Sequence, residues 1–193
     1  LIEKAATEEF SALKARSLRE KIRKIKKVEK AVVKFSTDGS VIVNVVERKE
    51  AAVFLNNSSY EVLDNNGVIL SVSNDYEGLS SFPLIVGKSG SKNIPGLLSL
   101  VNEIGSNELE VLYYEWVGER RWDIHMKNNL VFKLPEYNLS RGIELMRFFL
   151  NRTNKHSNTI VSFDLRNLDK PIIKFRKAPS IEYIREKAER VAG

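Results

Sequence analysis

The residues best suited to chemistry in this chain are few and scattered. Its 193 residues include two histidines and no cysteine, which excludes disulfides, thiolate nucleophiles and cysteine-bound zinc. His125 lies in a predicted strand, on the face opposite Ile124 and Met126, and His156 lies in a polar loop. Neither has a second histidine or a carboxylate at the spacing of a metal site. We therefore interpret each as a surface or sheet-face histidine.

The acidic residues and the glycines show no catalytic pattern either. Four aspartates lack the spacing of a paired-acid site: Asp64, Asp75, Asp164 and Asp169. Asp64 and Asp169 lie in turn contexts that favour aspartate for structural reasons. Gly87-Lys88-Ser89 resembles the end of a phosphate-binding loop, but Phe82 occupies the position that requires glycine. The sequence thus predicts no catalytic residue, no cofactor, no metal and no small-molecule substrate.

Positive charge is concentrated near the start of the chain. Residues 1–30 contain ten Lys or Arg and five Asp or Glu, whereas the rest of the chain has 21 and 20. Within 11–30, Leu18, Ile22 and Ile25 fall at helical spacing, so we predict a basic helix with one apolar face. Its basic face is open to three interpretations: a solvated surface, attraction to anionic lipid headgroups, or nucleic-acid binding. The third is least favoured, because residues 11–34 contain no aromatic side chain for base stacking.

The first half of the chain otherwise reads as short strands joined by tight turns. An Asp38-Gly39 turn separates strands over 31–35 and 41–46, and a third strand follows over 51–55. Gly67 closes a second turn, between strands over 60–64 and 68–70. We expect the apolar helix face to pack on a small sheet that includes Val33, Val41, Val43 and Val45. The loop-like stretch over 73–96 marks a domain boundary.

The second half alternates helices with strands. We predict a helix over 94–105, then three strands over 109–113, 121–127 and 130–134, the last two joined at Lys127-Asn128-Asn129. Asn138 is a candidate N-cap for a helix over 139–152. Two strands, over 159–167 and 171–176, precede a final helix that starts near Ser180. Tight turns between neighbouring strands favour antiparallel or mixed sheets, so the predicted class is α+β.

Six short motifs occur in order over about residues 27–176. They are Lys27 to Val33, Val41 to Arg48 followed by Ala52, Val62 to Ile69, Phe82 to Gly87, Arg120 to Ile124 with Leu130 to Pro135, and Phe163 to Arg166. Together they resemble the FtsQ/DivIB family of bacterial cell-division proteins. The chain departs from the family pattern in that Phe35-Ser36-Thr37-Asp38 replaces an aromatic-Pro pair, Glu50 replaces a proline and Asn129 replaces a hairpin glycine.

The resemblance implies a POTRA-type domain over residues 1–86, an FtsQ-type β-domain over 87–178 and a helical tail over 179–193. It implies a non-enzymatic scaffold at the division septum that binds the coiled-coil proteins FtsB and FtsL. No nucleic-acid partner is predicted, because the predicted basic helix lacks aromatic residues. The resemblance also places the partner contact on the last strands, at Arg166, Asn167 and Phe175, with Arg120 as a further, less favoured candidate. An aromatic and an arginine on an exposed final strand are typical anchors for an added partner strand.

The chain does not begin with Met and contains no stretch of about 18 apolar residues. We therefore expect a fragment, so that any N-terminal anchor would precede residue 1. The family resemblance implies a single-span inner-membrane protein with this part on the periplasmic side. The alternative function is that of a POTRA-bearing transport or assembly factor for outer-membrane or secreted polypeptides. The Arg-Arg-Trp-Asp hairpin and the Asp-Leu-Arg strand favour the division scaffold.

Overall fold

The computed structural model describes residues 2–36, 38–105, 109–152 and 159–176, with side chains from residue 12 onward. It contains three α-helices and eleven strands in these ranges. The helices are α1 (Ile2–Arg23), α2 (Ile94–Ile104) and α3 (Leu139–Arg152). The strands are β1 (Val28–Phe35), β2 (Val41–Glu47), β3 (Glu50–Asn56), β4 (Ser59–Asp64), β5 (Ile69–Ser73), β6 (Leu84–Val86), β7 (Val111–Val117), β8 (Arg121–Met126), β9 (Val131–Lys133), β10 (Ile160–Asp164) and β11 (Ile172–Phe175).

The chain forms two compact units, Leu1–Val101 and Asn102–Gly193. The α+β class predicted from the sequence is confirmed, and the sheets are mixed. Strands β3 and β6 pair in parallel, as do β9 and β10, while the hairpin pairs are antiparallel. The boundary between the two units follows Val101, later in the chain than the expected boundary between residues 86 and 87. The division into three domains stays a prediction. The helical tail over 179–193 lies outside the described residues, and none of the described helices is long and apolar enough to cross a bilayer.

In the first unit, four strands lie in the order β6-β3-β4-β5. Ala52 and Val53 are adjacent in β3 and so point to opposite faces of the sheet, yet both are completely buried, which shows that each face of β3 is covered. Ile94 and Leu97, at the start of α2, are also completely buried. Strand β6 was not predicted, because three residues between Pro83 and Gly87 carry no periodic signal and their parallel pairing with β3 is non-local. A loop-like segment in the sequence thus contains a core strand.

The N-terminal helix and hairpin differ from the expectation. Helix α1 ends at Arg23 rather than near residue 30, because the valine-rich stretch from Val28 onward extends into β1. Strands β1 and β2 form a sheet of their own through the predicted turn, where Gly39 has φ +85°. The expected packing of the helix face on this sheet is wrong in part: Ile25 is 55% exposed and every residue of β2 is exposed.

A buried ion pair links the end of β2 to the turn between β4 and β5. Arg48 Nη1 lies 2.5 Å from Asp64 Oδ2, and the Asp64 side chain is 4% exposed. The other carboxylate oxygen accepts hydrogen bonds from the backbone N–H groups of Asn66 and Val68 at 2.9 and 2.8 Å. Gly67 completes this turn with φ +80°, and a Cβ there would lie 2.5 Å from the carbonyl oxygen of Ser91. The predicted structural role of Asp64 is confirmed.

The second unit has five strands in the order β11-β10-β9-β8-β7, with α3 packed on one face. That face carries Trp122, Phe132 and Phe163, all 3% exposed or less. Phe149 of α3 stacks on Phe163 with ring centroids 4.7 Å apart. Helix α3 has the predicted bounds, and the Asn129 turn has the predicted left-handed backbone, with φ +65°. Asn138 directly precedes the helix, also at positive φ.

Replacing Asp64 with Ala is expected to lower the free energy of unfolding by about 3 kcal/mol, because it leaves a largely buried arginine without its partner. Burial opposes ionisation of Asp64, but hydrogen bonds from the Val68 N–H, Arg48 and the Asn66 N–H hold its pKa below the ordinary value. The stabilisation is therefore complete above a pH of about 4 and is lost as the pH falls through the folded-state pKa.

Urea denaturation at several pH values measures this effect. Glu47→Ala, an exposed carboxylate beside Arg48, is the control and should change the unfolding free energy by less than about 0.5 kcal/mol. Equal losses in both variants, or an Asp64→Ala loss that persists unchanged at acid pH, would contradict the assigned role of the pair.

Candidate partner-binding site

An open cavity of about 640 Å³ lies at one end of the sheet in the second unit. We call it the arginine cleft. Three loops supply its walls: the turn before β8, the segment after β9, and the turn between β10 and β11. Its lining residues are Arg120, Arg121, Pro135, Glu136, Tyr137, Arg166, Asn167, Leu168 and Asp169. Three of the four predicted partner-binding residues, Arg120, Arg166 and Asn167, therefore lie in one cleft.

The Asp-Leu-Arg motif places one arginine at this cleft. Leu165 is completely buried, so the two-residue period of a strand turns Asp164 and Arg166 to the other face. Arg166 Nε lies 2.8 Å from Asp164 Oδ1, and Nη2 lies 2.6 Å from Oδ2. These hydrogen bonds lower the pKa of Asp164 and keep it charged. Nη1 of Arg166 has no acceptor within the described part of the chain, so its N–H groups are available to a ligand.

The other arginines come from the β7–β8 turn. Gly118 and Glu119 both have positive φ, which makes a tight turn that leads into Arg120. Arg120 Nε lies 3.8 Å from Glu136 Oε2, and the arginine side chain is 60% exposed. Arg121, in contrast, is 11% exposed and donates from Nε to Asp123 Oδ1 at 3.1 Å. Arg120 is thus the accessible donor, whereas Arg121 is held by a buried carboxylate.

Burial raises the pKa of Asp123, the partner of the cleft residue Arg121, against the opposing hydrogen bond and charge of that arginine. In the neighbouring strand β7, burial raises the pKa of Tyr114 to about 12. The arrangement supplies guanidinium donors for a carboxylate or a peptide carbonyl. Within the described residues it does not bring a nucleophile together with a general base.

Asn167 shapes the turn between β10 and β11 rather than pointing a free amide oxygen at solvent. Its Oδ1 accepts hydrogen bonds from the backbone N–H groups of Asp169 at 3.1 Å and Lys170 at 3.3 Å. The predicted turn role of Asp169 fits this geometry. The turn brings the chain back along β10 and so sets the start of β11 next to the cleft.

Strand β11 lies at the edge of the second unit's sheet. It pairs with β10, and the Arg176 N–H donates to the Thr159 carbonyl at 2.6 Å. Because backbone N–H groups along a strand alternate in direction, those of Ile173 and Phe175 point away from β10. No further strand pairs with this side of β11 in the described ranges. The edge therefore presents unpaired main-chain donors and acceptors.

Exposed apolar side chains accompany that edge. Phe175 is 61% exposed and Ile172 is 64% exposed, on opposite faces of β11. Phe175 is therefore not a core residue. Phe175 does not line the arginine cleft, so the fourth predicted residue lies on the adjacent strand instead.

The sequence analysis did not predict Tyr137, which lies in the cleft wall and is 79% exposed. An aromatic residue directly after Pro135-Glu136 was the signal that could have identified it.

His125 has a partner that sequence spacing did not predict. Its Nε2 lies 2.7 Å from Glu115 Oε2, and its ring stacks on Tyr113 with centroids 4.2 Å apart. The two residues come together because β7 and β8 are antiparallel neighbours. The described residues contain no group of three or more potential metal ligands, and His156 lies outside them.

A small β-rich unit with an open edge and an adjacent cation-lined cleft has the architecture of a binding module. Comparison with protein families gives the class: a family model for cell division protein FtsQ/DivIB, C-terminal, matches residues 51–166. The chain belongs to the FtsQ/DivIB family of cell-division proteins. The family resemblance read from the sequence motifs is confirmed.

Relatives named cell division protein FtsQ support the same assignment. The chain is 28% identical to that of Zymomonas mobilis over 158 residues, which cover 81% of this chain and 49% of the relative. It is 24% identical to that of Rhizobium radiobacter, over 84% of this chain and 77% of the relative. For Bradyrhizobium diazoefficiens the identity is 24%, over 94% and 54%. The chain thus spans about half the length of the first and third of these relatives.

A test of the cleft's framework is the replacement of Gly142 with Ala. A Cβ at Gly142 would lie 2.6 Å from Cδ of Pro135, which forms part of the cleft wall. Helix propensity alone would favour Ala by about 1 kcal/mol. We expect destabilisation by about 1–3 kcal/mol instead, because a buried proline ring must move.

Thermal and urea unfolding measure the sign of the change, and amide chemical shifts of Glu136 and Tyr137 report movement of the wall. Ser140→Ala, at an exposed position of the same helix, is the control and should be close to neutral. A stabilised Gly142→Ala protein would show that α3 does not need this close approach.

Proposed function

We propose that this chain is the partner-binding part of a non-enzymatic division scaffold, located on the periplasmic side of the inner membrane at the septum. Its proposed partners are the ectodomains of FtsB and FtsL. The observation that carries the proposal is the open edge of β11, with the outward N–H groups of Ile173 and Phe175 beside a cleft lined by arginines. The proposal includes a POTRA-type domain over residues 1–86.

The proposed binding mode is strand addition. An extended partner segment would pair with β11 through main-chain hydrogen bonds, which give affinity with little dependence on sequence. Selectivity would come from side chains, with Phe175 as the aromatic anchor. Exposed aromatic residues commonly contribute most to binding of this kind, because they exclude water over a large area at low entropic cost.

The arginine cleft would add a second, electrostatic contact. Arg166 retains donors on Nη1, and the one ion pair of Arg120 among the described residues is a 3.8 Å contact with Glu136. A carboxylate on the partner, just beyond the added strand, would accept bidentate hydrogen bonds from either guanidinium. This contact would fix the register of the partner strand, because a shift by one residue would place the carboxylate on the wrong face.

The first functional prediction concerns the anchor. Phe175→Ala is expected to weaken binding of the FtsB ectodomain by about 2 kcal/mol or more, measured by titration calorimetry. Because Phe175 is 61% exposed, the variant should keep the wild-type circular dichroism spectrum. Val72→Ala is a matched control: it lies on the edge strand β5 of the first unit and is also 61% exposed. Equal affinities for wild type and Phe175→Ala would place the interface elsewhere.

The second functional prediction tests the edge itself. Ile173→Pro removes an N–H that points away from β10, so the variant should fold but lose binding to FtsB. Lys174→Pro removes an N–H directed at β10 and should instead destabilise the strand, with loss of thermal stability. Calorimetry and thermal unfolding of both variants separate the two effects. Full binding by a folded Ile173→Pro protein would exclude main-chain pairing at this position.

A further inference from the structure

The end of α1 and the turn that follows carry an unusual density of cations. Residues 14–30 contain nine Lys or Arg and two Glu. Glu20 lies 4.0 and 3.8 Å from Arg19 and Arg23, and Glu29 lies 4.0 Å from Lys30. Five further cations are exposed and form no ion pair within the described residues: Arg16, Lys21, Lys24, Lys26 and Lys27. The segment is therefore a surface of uncompensated positive charge.

The β1–β2 hairpin presents apolar side chains on an exposed face. Cross-strand register places Val32, Ile42 and Val46 on the face opposite buried Ala31. These three side chains are 48%, 51% and 51% exposed. Lys30 and Lys34 lie on the same face and are exposed too. We call these five residues the outer hairpin face.

The turn and the outer hairpin face are continuous along the chain. The Arg48 N–H, at the end of β2, donates to the Lys27 carbonyl at 2.8 Å, so residues 24–27 adjoin the Lys30–Val46 end of the hairpin. The turn also exposes Ile25, at 55%. Apolar side chains thus alternate with lysines over one connected surface.

We propose that this surface docks on a bilayer that contains anionic phospholipids. Lysines attract the phosphate headgroups, each contributing on the order of 1 kcal/mol near the membrane surface. Half-exposed Ile25, Ile42 and Val46 enter the headgroup region, where apolar side chains are stabilised. An acidic protein partner would need an apolar patch that matches these aliphatic side chains in position, whereas a bilayer offers headgroups and an apolar layer at every point of its surface. A nucleic acid would lack stacking partners, since residues 11–34 contain no aromatic.

Co-sedimentation with lipid vesicles tests the proposal on the intact chain. Wild type should bind vesicles of equal parts phosphatidylglycerol and phosphatidylcholine, bind weakly or not at all to pure phosphatidylcholine, and lose binding as salt increases. Lys26→Glu/Lys27→Glu should bind anionic vesicles at least about tenfold more weakly. Lys88→Glu/Lys92→Glu changes the net charge equally at exposed sites elsewhere in the first unit and should bind within about twofold of wild type.

A third variant, Ile42→Thr/Val46→Thr, keeps strand-forming residues while reducing apolar area. It should weaken binding severalfold without changing its salt dependence. Circular dichroism confirms that each variant is folded. The proposal is overturned if wild type ignores anionic vesicles, if it binds neutral vesicles equally well, or if the two lysine double variants lose binding to the same extent.

Discussion

The proposed partner-binding site depends on the two-residue alternation of β10 and of the residues that continue it to Arg166. Phe163 and Leu165 point into the core and are almost completely buried, so Asp164 and Arg166 must project on the opposite face. The core residues fix the strand against β9, where the Leu165 N–H donates to the Lys133 carbonyl at 2.9 Å. That constraint positions the guanidinium at the cleft, sets the Asn167 turn, and thereby aligns β11 as the edge. A register shift in β10 would reverse both faces at once.

Much of the local structure was predictable, because short stretches of sequence determine where turns form and where apolar residues recur at helical spacing. The Asp38-Gly39 and Gly67 turns, helix α3 and the left-handed Asn129 all follow from residue types with specific backbone preferences. The parallel pairing of β6 with β3 could not be predicted, because two strands and a loop separate them in sequence and no local pattern encodes the contact. The helical stripe over Leu18 to Ile25 was predicted too long because α1 ends before Ile25, and periodicity alone does not mark that end.

The candidate site shows the same division between local and non-local information. Arg166 and Asn167 could be named from a motif, and their neighbours in sequence explain their geometry. Arg120 lies in the same cleft as Arg166 and Asn167 because three loops converge there, which no local motif predicts. Glu115 contacts His125 because β7 and β8 are paired strands. Residue types predicted which side chains could donate hydrogen bonds or anchor a partner. The order of the strands determined which of these side chains lie on the same surface.

An open sheet edge also invites copies of the same chain to associate, and β11 has features that oppose this. The strand follows Pro171, which has no N–H to offer a neighbour, and it carries Lys174 and is followed by Arg176. In an antiparallel pair of two such edges these cations would lie close together, with no acidic residue within the strand to offset them. Like charges across a pairing edge disfavour self-association. For the proposed partner strand, the same lysine and arginine would favour acidic side chains, so the charges that oppose self-association would also select the partner.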